Sequence, residues 1–396
     1  MAAEIKKIKF RPADRAFYRV LKGRVNAHFD ETGRSRSADW RLWAKGAVFA
    51  VTAAGCYAAI LWEGTSGWQK LALANLCGLS VLLLAINVAH DAAHDALTRK
   101  AWLNRAVQTI IFMLLGADAY LWRLRHVKSH HTFPNVNGCD IDIDNTTFLR
   151  LSPNHPCRPY HRFQHLYAPA IFWLADVHTV FWQDFVYLRK DRLANMIDIR
   201  HPRHAYFLFF GGKLAYLAVA VVIPILVLPF AWWQVAGGVL LMTFVNSTVF
   251  VLLLIGTHFA EEADFPEFDA DGYISHDWAV HALVTSVDWS PTSFWATLLA
   301  GGANAHAAHH LFPTIAHTHY AALTPIIART AAEFGIPYHR TTLWRLIASH
   351  FRFLKRMGRP PAELQGSGRR PEPAWPLPAA EERLGGSTVP YADSAA

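Results

Sequence analysis

Residues 214–257 read LAYLAVAVVIPILVLPFAWWQVAGGVLLMTFVNSTVFVLLLIGT, a run without a single Asp, Glu, Lys or Arg. A hydrocarbon layer about 30 Å thick is crossed by roughly 20 apolar residues in a helix. The run is therefore two crossings joined by a tight turn at LPFAWWQ, residues 228–234. The first of the two begins near Tyr206 or Phe209, which leaves Lys213 to snorkel or to face protein. Toward the N-terminus, two shorter uncharged runs lie between Lys45 and Glu63 and between Lys70 and His90. The expected spans are 43–62, 70–90, 206–228 and 233–257. The expected fold is an all-α integral membrane protein: four transmembrane helices in two hairpins, with a cytoplasmic helical cap.

Composition agrees with a chain that faces lipid. Apolar residues make up 53% of the 396 positions and charged residues 17%, and mean hydropathy is +0.14. The net charge of +8 is spread along the chain. No basic-aromatic module accompanies it, so nucleic acid is not an expected partner; an anionic membrane surface or an acidic protein fits better. Cys56, Cys77, Cys139 and Cys157 form no CxxC pair and so no visible zinc knuckle or iron–sulfur set. The opening MAAEIKKIKFRPADR has no apolar core and does not read as a cleavable signal.

Both short connections, 63–69 and 229–234, lack Lys and Arg. The N-terminal segment, Arg99-Lys100, Arg123 to Lys128 and Leu188 to Arg203 are all basic. The positive-inside tendency then puts the basic segments in the cytoplasm and both hairpin tips outside. Segments 102–122 and 166–187 are apolar but carry Asp118, Asp176, His178 and Asp184. They read either as interfacial or re-entrant helices or as packed helices of the cap. The chain divides into a cytoplasmic N-terminal segment (1–42), a central domain (43–357) and a Pro- and Gly-rich tail (358–396) expected to be disordered.

The histidines gather at the cytoplasmic ends of the spans. HDAAH places His90 and His94 one turn apart at the end of the second span. HVKSHH supplies His126, His130 and His131, and His258 follows the fourth span. HAAHH supplies His306, His309 and His310 at helical spacing. Imidazole is a good ligand for Zn, Cu, Fe and Ni, and nine of them exceed the needs of one ion. Structural zinc usually recruits thiolate, and none is present in these clusters. The reading is a histidine-rich dinuclear centre at the membrane boundary. Asp91, Asp95 and Glu261 adjoin these histidines and are candidates to receive their second N–H. Glu262 adjoins them as well but reads rather as a solvated or capping acid, and Asp140, Asp142 and Asp144 in CDIDID read either as orienting box residues or as a polar loop, with the loop favoured.

In these motifs the chain resembles the membrane fatty acid desaturase family, in its bacterial acyl-lipid or acyl-CoA branch. HDAAH, HVKSHH and HAAHHLFPTIAHTHY carry the resemblance in the family's order, and it extends over about residues 15–340, with FYRVLKGRVNAHF near the start. It implies a di-iron centre held by His90, His94, His126, His130, His131, His306, His309 and His310, with His258 as the extra ligand. It implies O2-dependent introduction of a double bond into an acyl chain, with electrons from an external donor such as ferredoxin or cytochrome b5. The acyl group would be carried by CoA, acyl carrier protein or a lipid, and the setting would be a bacterial inner membrane with the site facing the cytoplasm. Three features depart from relatives. No HPGG motif is present and His306 replaces the glutamine that opens the third box of front-end members. Leu254 stands where some animal members place an asparagine, leaving Asn304 and Asn87 as polar alternatives. His317 and His319 read as supporting residues. Trp102, Phe112, Trp122, Phe172 and Trp182 are candidates to line an acyl tunnel. A related hydroxylase, ketolase or acetylenase is the alternative activity, and a metal-binding transporter the remote one.

Overall fold

A computed structural model describes residues 8–11, 15–144 and 146–360 of the chain. The expected disorder of the tail lies almost wholly outside these residues.

Among the described residues, four helices are long and apolar enough to cross a membrane: Trp40–Leu61, Gly67–Ala93, Arg203–Val227 and Trp232–Thr257. Each starts within three residues of its expected position. Local chemistry sets two of those starts. The Asp39 carboxylate accepts from the amides of Arg41 and Leu42 (3.1 and 3.3 Å) and caps the first span. Ser66 and Gln69 form a reciprocal capping box at the second. Lys70, a boundary marker in the sequence, is inside that second span and only 6% exposed. Its ammonium donates to the carbonyls of Ile60 and Trp62 and to the Thr65 hydroxyl. The lysine thereby satisfies carbonyls that the end of the first span leaves open.

Segment 102–122 is not one helix. Ala101–Leu115 and Ala119–His130 meet at an angle of 113°. The corner is Gly116, at φ +73°, where a Cβ would sit 2.7 Å from the Tyr216 ring. Here the acids of the two interrupted segments find their partners. Lys213 donates to the Gly116 carbonyl and to Asp184 Oδ2, both at 2.7 Å, and the Asp118 amide donates to the same carboxylate oxygen. Lys213 thus faces protein. Removing one partner of such a buried pair costs about 3–5 kcal/mol, whereas replacing both is often neutral. Lys213→Met is expected to lose that much in thermal unfolding, and the double variant Lys213→Met/Asp184→Asn to regain most of it. Equal losses in the two variants would remove the pair from the account.

The remaining helices pack beside the histidine-bearing ends of the spans. Ala16–Thr32 buries Phe17, Leu21, Val25 and Phe29 in one cluster with Ala307, Leu311, Tyr320 and Leu323. The helix Ala16–Thr32 therefore shares its core with the third histidine box. The all-α expectation also missed two short parallel ladders: Lys9–Phe10 with Tyr273–Ile274, and Val287–Trp289 with His339–Thr341. Each is two or three residues long and pins a loop, which hydropathy alone does not reveal.

Candidate metal centre

All nine nominated histidines converge. His90, His94, His126 and His309 form one group, and His130, His258, His306 and His310 a second, with ring nitrogens within 4.8 Å of one another in each. His131 lies between them, stacked on His310 at 4.3 Å between ring centres and edge-on to His309 at 4.4 Å. Each box therefore contributes to both groups except the first, and His258 completes the second group.

Helix geometry explains how so many rings reach one place. Residues 85–89 and 124–130 are π-helical, with i→i+5 hydrogen bonds: the His90 amide bonds to the Ala85 carbonyl and the His131 amide to that of His126. The wider turn brings positions i+4 and i+5 onto the same face, so His126, His130 and His131 all point inward. An α-helical reading of HVKSHH would place His131 to one side. Such π-bulges are frequent at functional sites. The third box is the short helix His306–Leu311, whose start is held by Asp288: its carboxylate accepts from the Ala307 amide at 2.8 Å and from the Tyr338 hydroxyl at 2.6 Å.

The second group shows what the site accepts. His258 Nδ1 lies 2.7 Å from the Thr285 carbonyl and His306 Nδ1 3.2 Å from that of Ala303. A carbonyl oxygen only accepts, so each Nδ1 carries the proton and each Nε2 is a bare lone pair in the neutral ring. Those two Nε2 atoms are 2.7 Å apart, and His310 Nε2 lies 2.9 and 3.2 Å from them. Lone pairs converging at that distance repel unless a cation sits among them. In the first group His90 and His126 approach through Nε2 at 3.3 Å, and the buried Nε2 atoms of His94 and His309 have no hydrogen-bond partner. Burial, reinforced by neighbouring imidazoles, holds the pKa of His94, His131, His306, His309 and His310 well below the usual value, and that of His258 falls to about 3. Neutral rings are the ligating form. The donor set fits two cations that prefer imidazole.

The supporting acids are mostly not the ones expected. Asp140 is fully buried and receives His130 Nδ1 at 3.0 Å, while the amides of Asn135 and Asp142 complete its shell at 2.9 Å. Asn135 also donates to the His258 carbonyl at 3.2 Å, so one asparagine ties the two ligand segments together. The polar-loop reading of CDIDID fails for Asp140, because alternation in sequence does not show which acid points inward. Asp91 instead binds His317, accepting from its amide and facing its Nδ1 at 2.9 Å, and Lys45 closes on His317 Nε2 at 2.7 Å. Asp95 faces Arg105 and Arg123. Glu261 pairs with Arg352 at 2.7 Å, and Glu262 accepts from Ser349. Asn304 donates to the Ser290 carbonyl, and Asn87 to that of Leu83. None of these four nominated residues, Asp91, Asp95, Glu261 and Asn304, meets a box imidazole through its side chain. His319 is buried against Phe29.

Of the five aromatics, Trp122 is at the site, stacked on His126 with ring centres 4.4 Å apart and edge-on to His90. Phe112 packs beside it and Phe172 is buried elsewhere, near His350. Trp102 and Trp182 are 69% and 65% exposed and line no interior path.

Asp140→Asn keeps the shape of the acceptor but removes its charge. Outer partners of this kind are worth about 10–100-fold in metal affinity or activity. A loss in that range is expected, measured as metal retained after dialysis against chelator; unchanged retention would count against the assignment.

The fatty acid desaturase family model matches residues 66–342, a stretch that contains all nine histidines. The sn-1 linoleoyl-lipid 6-desaturase of Arthrospira platensis is 28% identical over 350 residues, covering 86% of this chain and 92% of the relative. The enzyme of the same name from Synechocystis is 29% identical, covering 89% and 98%. The acyl-lipid (8-3)-desaturase of Physcomitrium patens is 28% identical, covering 88% and 73%. With the four spans and the histidine cluster already described, this match decides the matter: the chain belongs to the fatty acid desaturase family and is a membrane-associated oxidoreductase of that kind.

Proposed function

We propose that the protein is an O2-dependent acyl-lipid desaturase with a di-iron centre. The observation that carries the two-metal assignment is the division of eight imidazoles into two groups of four, with no thiolate among them; the family match supports iron as the metal. His90, His94, His126 and His309 would hold one ion and His130, His258, His306 and His310 the other, with His131 between. When bound, the two irons supply the redox chemistry that removal of hydrogen from an unactivated methylene pair requires. The reaction balances as –CH2–CH2– plus O2, two electrons and two protons giving –CH=CH– and two water molecules.

The protein's own residues do the rest. Carbonyls of Thr285 and Ala303 and the Asp140 carboxylate orient three ligand rings before any metal arrives, which removes reorganisation from the reaction. Trp122 lays its face on His126 and meets His90 edge-on, backed by Leu84, Phe112 and Leu115. This wall would keep water from the reacting carbons and guide a methylene chain past the imidazoles. The names of the relatives support a glycerolipid as the acyl carrier. The basic segments support two hairpins with the centre on the cytoplasmic side of a bacterial inner membrane. There an acidic ferredoxin or cytochrome b5 could dock by charge.

Expression in a host with a simple lipid profile, followed by mass spectrometry of intact lipids, tests the reading. A new double bond in glycerolipid chains that disappears under anaerobic growth is expected. An oxygenated chain carrying label from 18O2 would favour hydroxylation, and unchanged lipids despite a full metal complement would sink the proposal.

A further inference from the structure

The histidine cluster is not the only place prepared for a ligand. A cavity of about 730 Å³ lies among the four spans, within the range of about 300–1,000 Å³ typical of small-ligand sites. Its lining on the second span runs from Gly67 to Leu84. At 1.5 Å per residue that is about 25 Å, close to the thickness of the hydrocarbon layer. Small residues set back its wall, among them Ala50, Ala53, Ala74, Gly78, Ala220 and Gly238. The space is therefore long and lined largely by apolar groups, the shape of an alkyl chain.

One end is polar. Asn246, Thr243, Tyr216 and Asp176 line the cavity there, at its limit on the third and fourth spans and near the middle of both. Asn246 is 4% exposed, and its Oδ1 has no hydrogen-bond partner in the structure. Asp176 is held in place through its amide, which donates to Ser247 Oγ at 3.0 Å, and the Ser247 hydroxyl meets one side of its carboxylate, leaving the rest of that group to the cavity. A bare amide oxygen and a carboxylate at one end of an apolar space call for a donor. They fit a hydroxyl and disfavour a phosphate or free carboxylate, which would meet Asp176 charge to charge. The opposite end, at Gly67, Trp68 and Phe230, carries no charged side chain other than Lys70, whose ammonium is already bonded to three oxygens. Intramembrane polar groups are costly to keep and commonly mark function.

We propose that this cavity is a lipid site separate from the histidine cluster, binding one long-chain lipid through a hydroxylated head at Asn246 and Asp176. Leu84 and Leu115 form part of its wall and also pack in the cluster that contains Trp122, so a side-chain layer divides the two compartments. The head lies near the middle of the third and fourth spans and the chain runs toward the tips at 62–66 and 228–231. Both a glyceride and an isoprenoid quinol offer this chemistry.

Photo-crosslinking on the purified full-length enzyme in nanodiscs distinguishes them. Three diazirine probes are compared: a monoacylglycerol, an isoprenoid quinol, and a fatty acid methyl ester, which has no donor. One or both hydroxylated probes are expected to label peptides around 71–81 and 235–246, and whichever does so identifies the source. The methyl ester should label weakly. Asn246→Leu should lower hydroxylated-probe labelling roughly 5- to 30-fold, the scale of one buried hydrogen bond. Gly238→Leu, where a Cβ would meet only Leu71 Cδ1 at 3.7 Å, should fill the space and lower labelling by every probe. Metal content and desaturase activity report separately on the histidine centre. Labelling by the methyl ester equal to that of the hydroxylated probes overturns the proposal. So does failure of both hydroxylated probes, or labelling unchanged in Gly238→Leu. Were Asn246→Leu not to fold, the probe comparison in the native chain and Gly238→Leu still decide.

Discussion

His258→Ala is expected to reduce desaturation at least about 100-fold, the upper end of what partners merely supporting a ligand cost. Bound metal should fall from about two ions per chain toward one. His258 Nε2 is within 3 Å of the Nε2 atoms of both His306 and His310. The first group takes no ligand from this segment, so its ion should persist. Metal analysis on the purified variant, alongside lipid analysis of cells expressing it, reads both quantities. Two retained ions with normal product would remove His258 from the centre.

Gly301→Ala should be nearly as damaging although the residue binds nothing. Gly301 is at φ +56°, and a Cβ there would lie 2.4 Å from the Ile86 carbonyl oxygen. The left-handed backbone costs an alanine about 1–2 kcal/mol, and the overlap adds about 1–3 kcal/mol. Ile86 belongs to the π-helical turn that delivers His90, so relief of the clash would push the first and third boxes apart. A loss of about 2–5 kcal/mol in thermal unfolding, together with lower metal occupancy, is expected. Gly237→Ala in the fourth span is the control: nothing lies within 4 Å of its would-be Cβ. Better helix propensity should leave that variant neutral or slightly stabilised. Indistinguishable behaviour of the two variants would refute the packing argument.

The two predictions draw on different kinds of information. His258 stands at the end of an uncharged run, and its distance from HAAHH is irrelevant to noticing it. Gly301 looks like half of an ordinary GG pair until the fold sets Ile86 against it. Span positions were legible for the same reason as His258: crossing a hydrocarbon layer demands a local run of apolar residues, and its length is countable. Expecting the histidines to gather in one place needed only that count and the expected alternation of direction between successive spans.

What the sequence by itself determined was thus the four spans, the nine imidazoles and the family. Tertiary structure alone decided which four histidines share a position, and that π-helical turns bring His131 in with His126 and His130. It also chose Asp140 over Asp91, Asp95 and Glu261 as the carboxylate beside a box histidine, gave Asp91 to His317, and turned Lys70 inward onto open carbonyls. The physical reason is range. Hydropathy and helical period act over a few neighbouring residues, whereas a buried polar atom takes whichever partner the fold brings within about 3 Å.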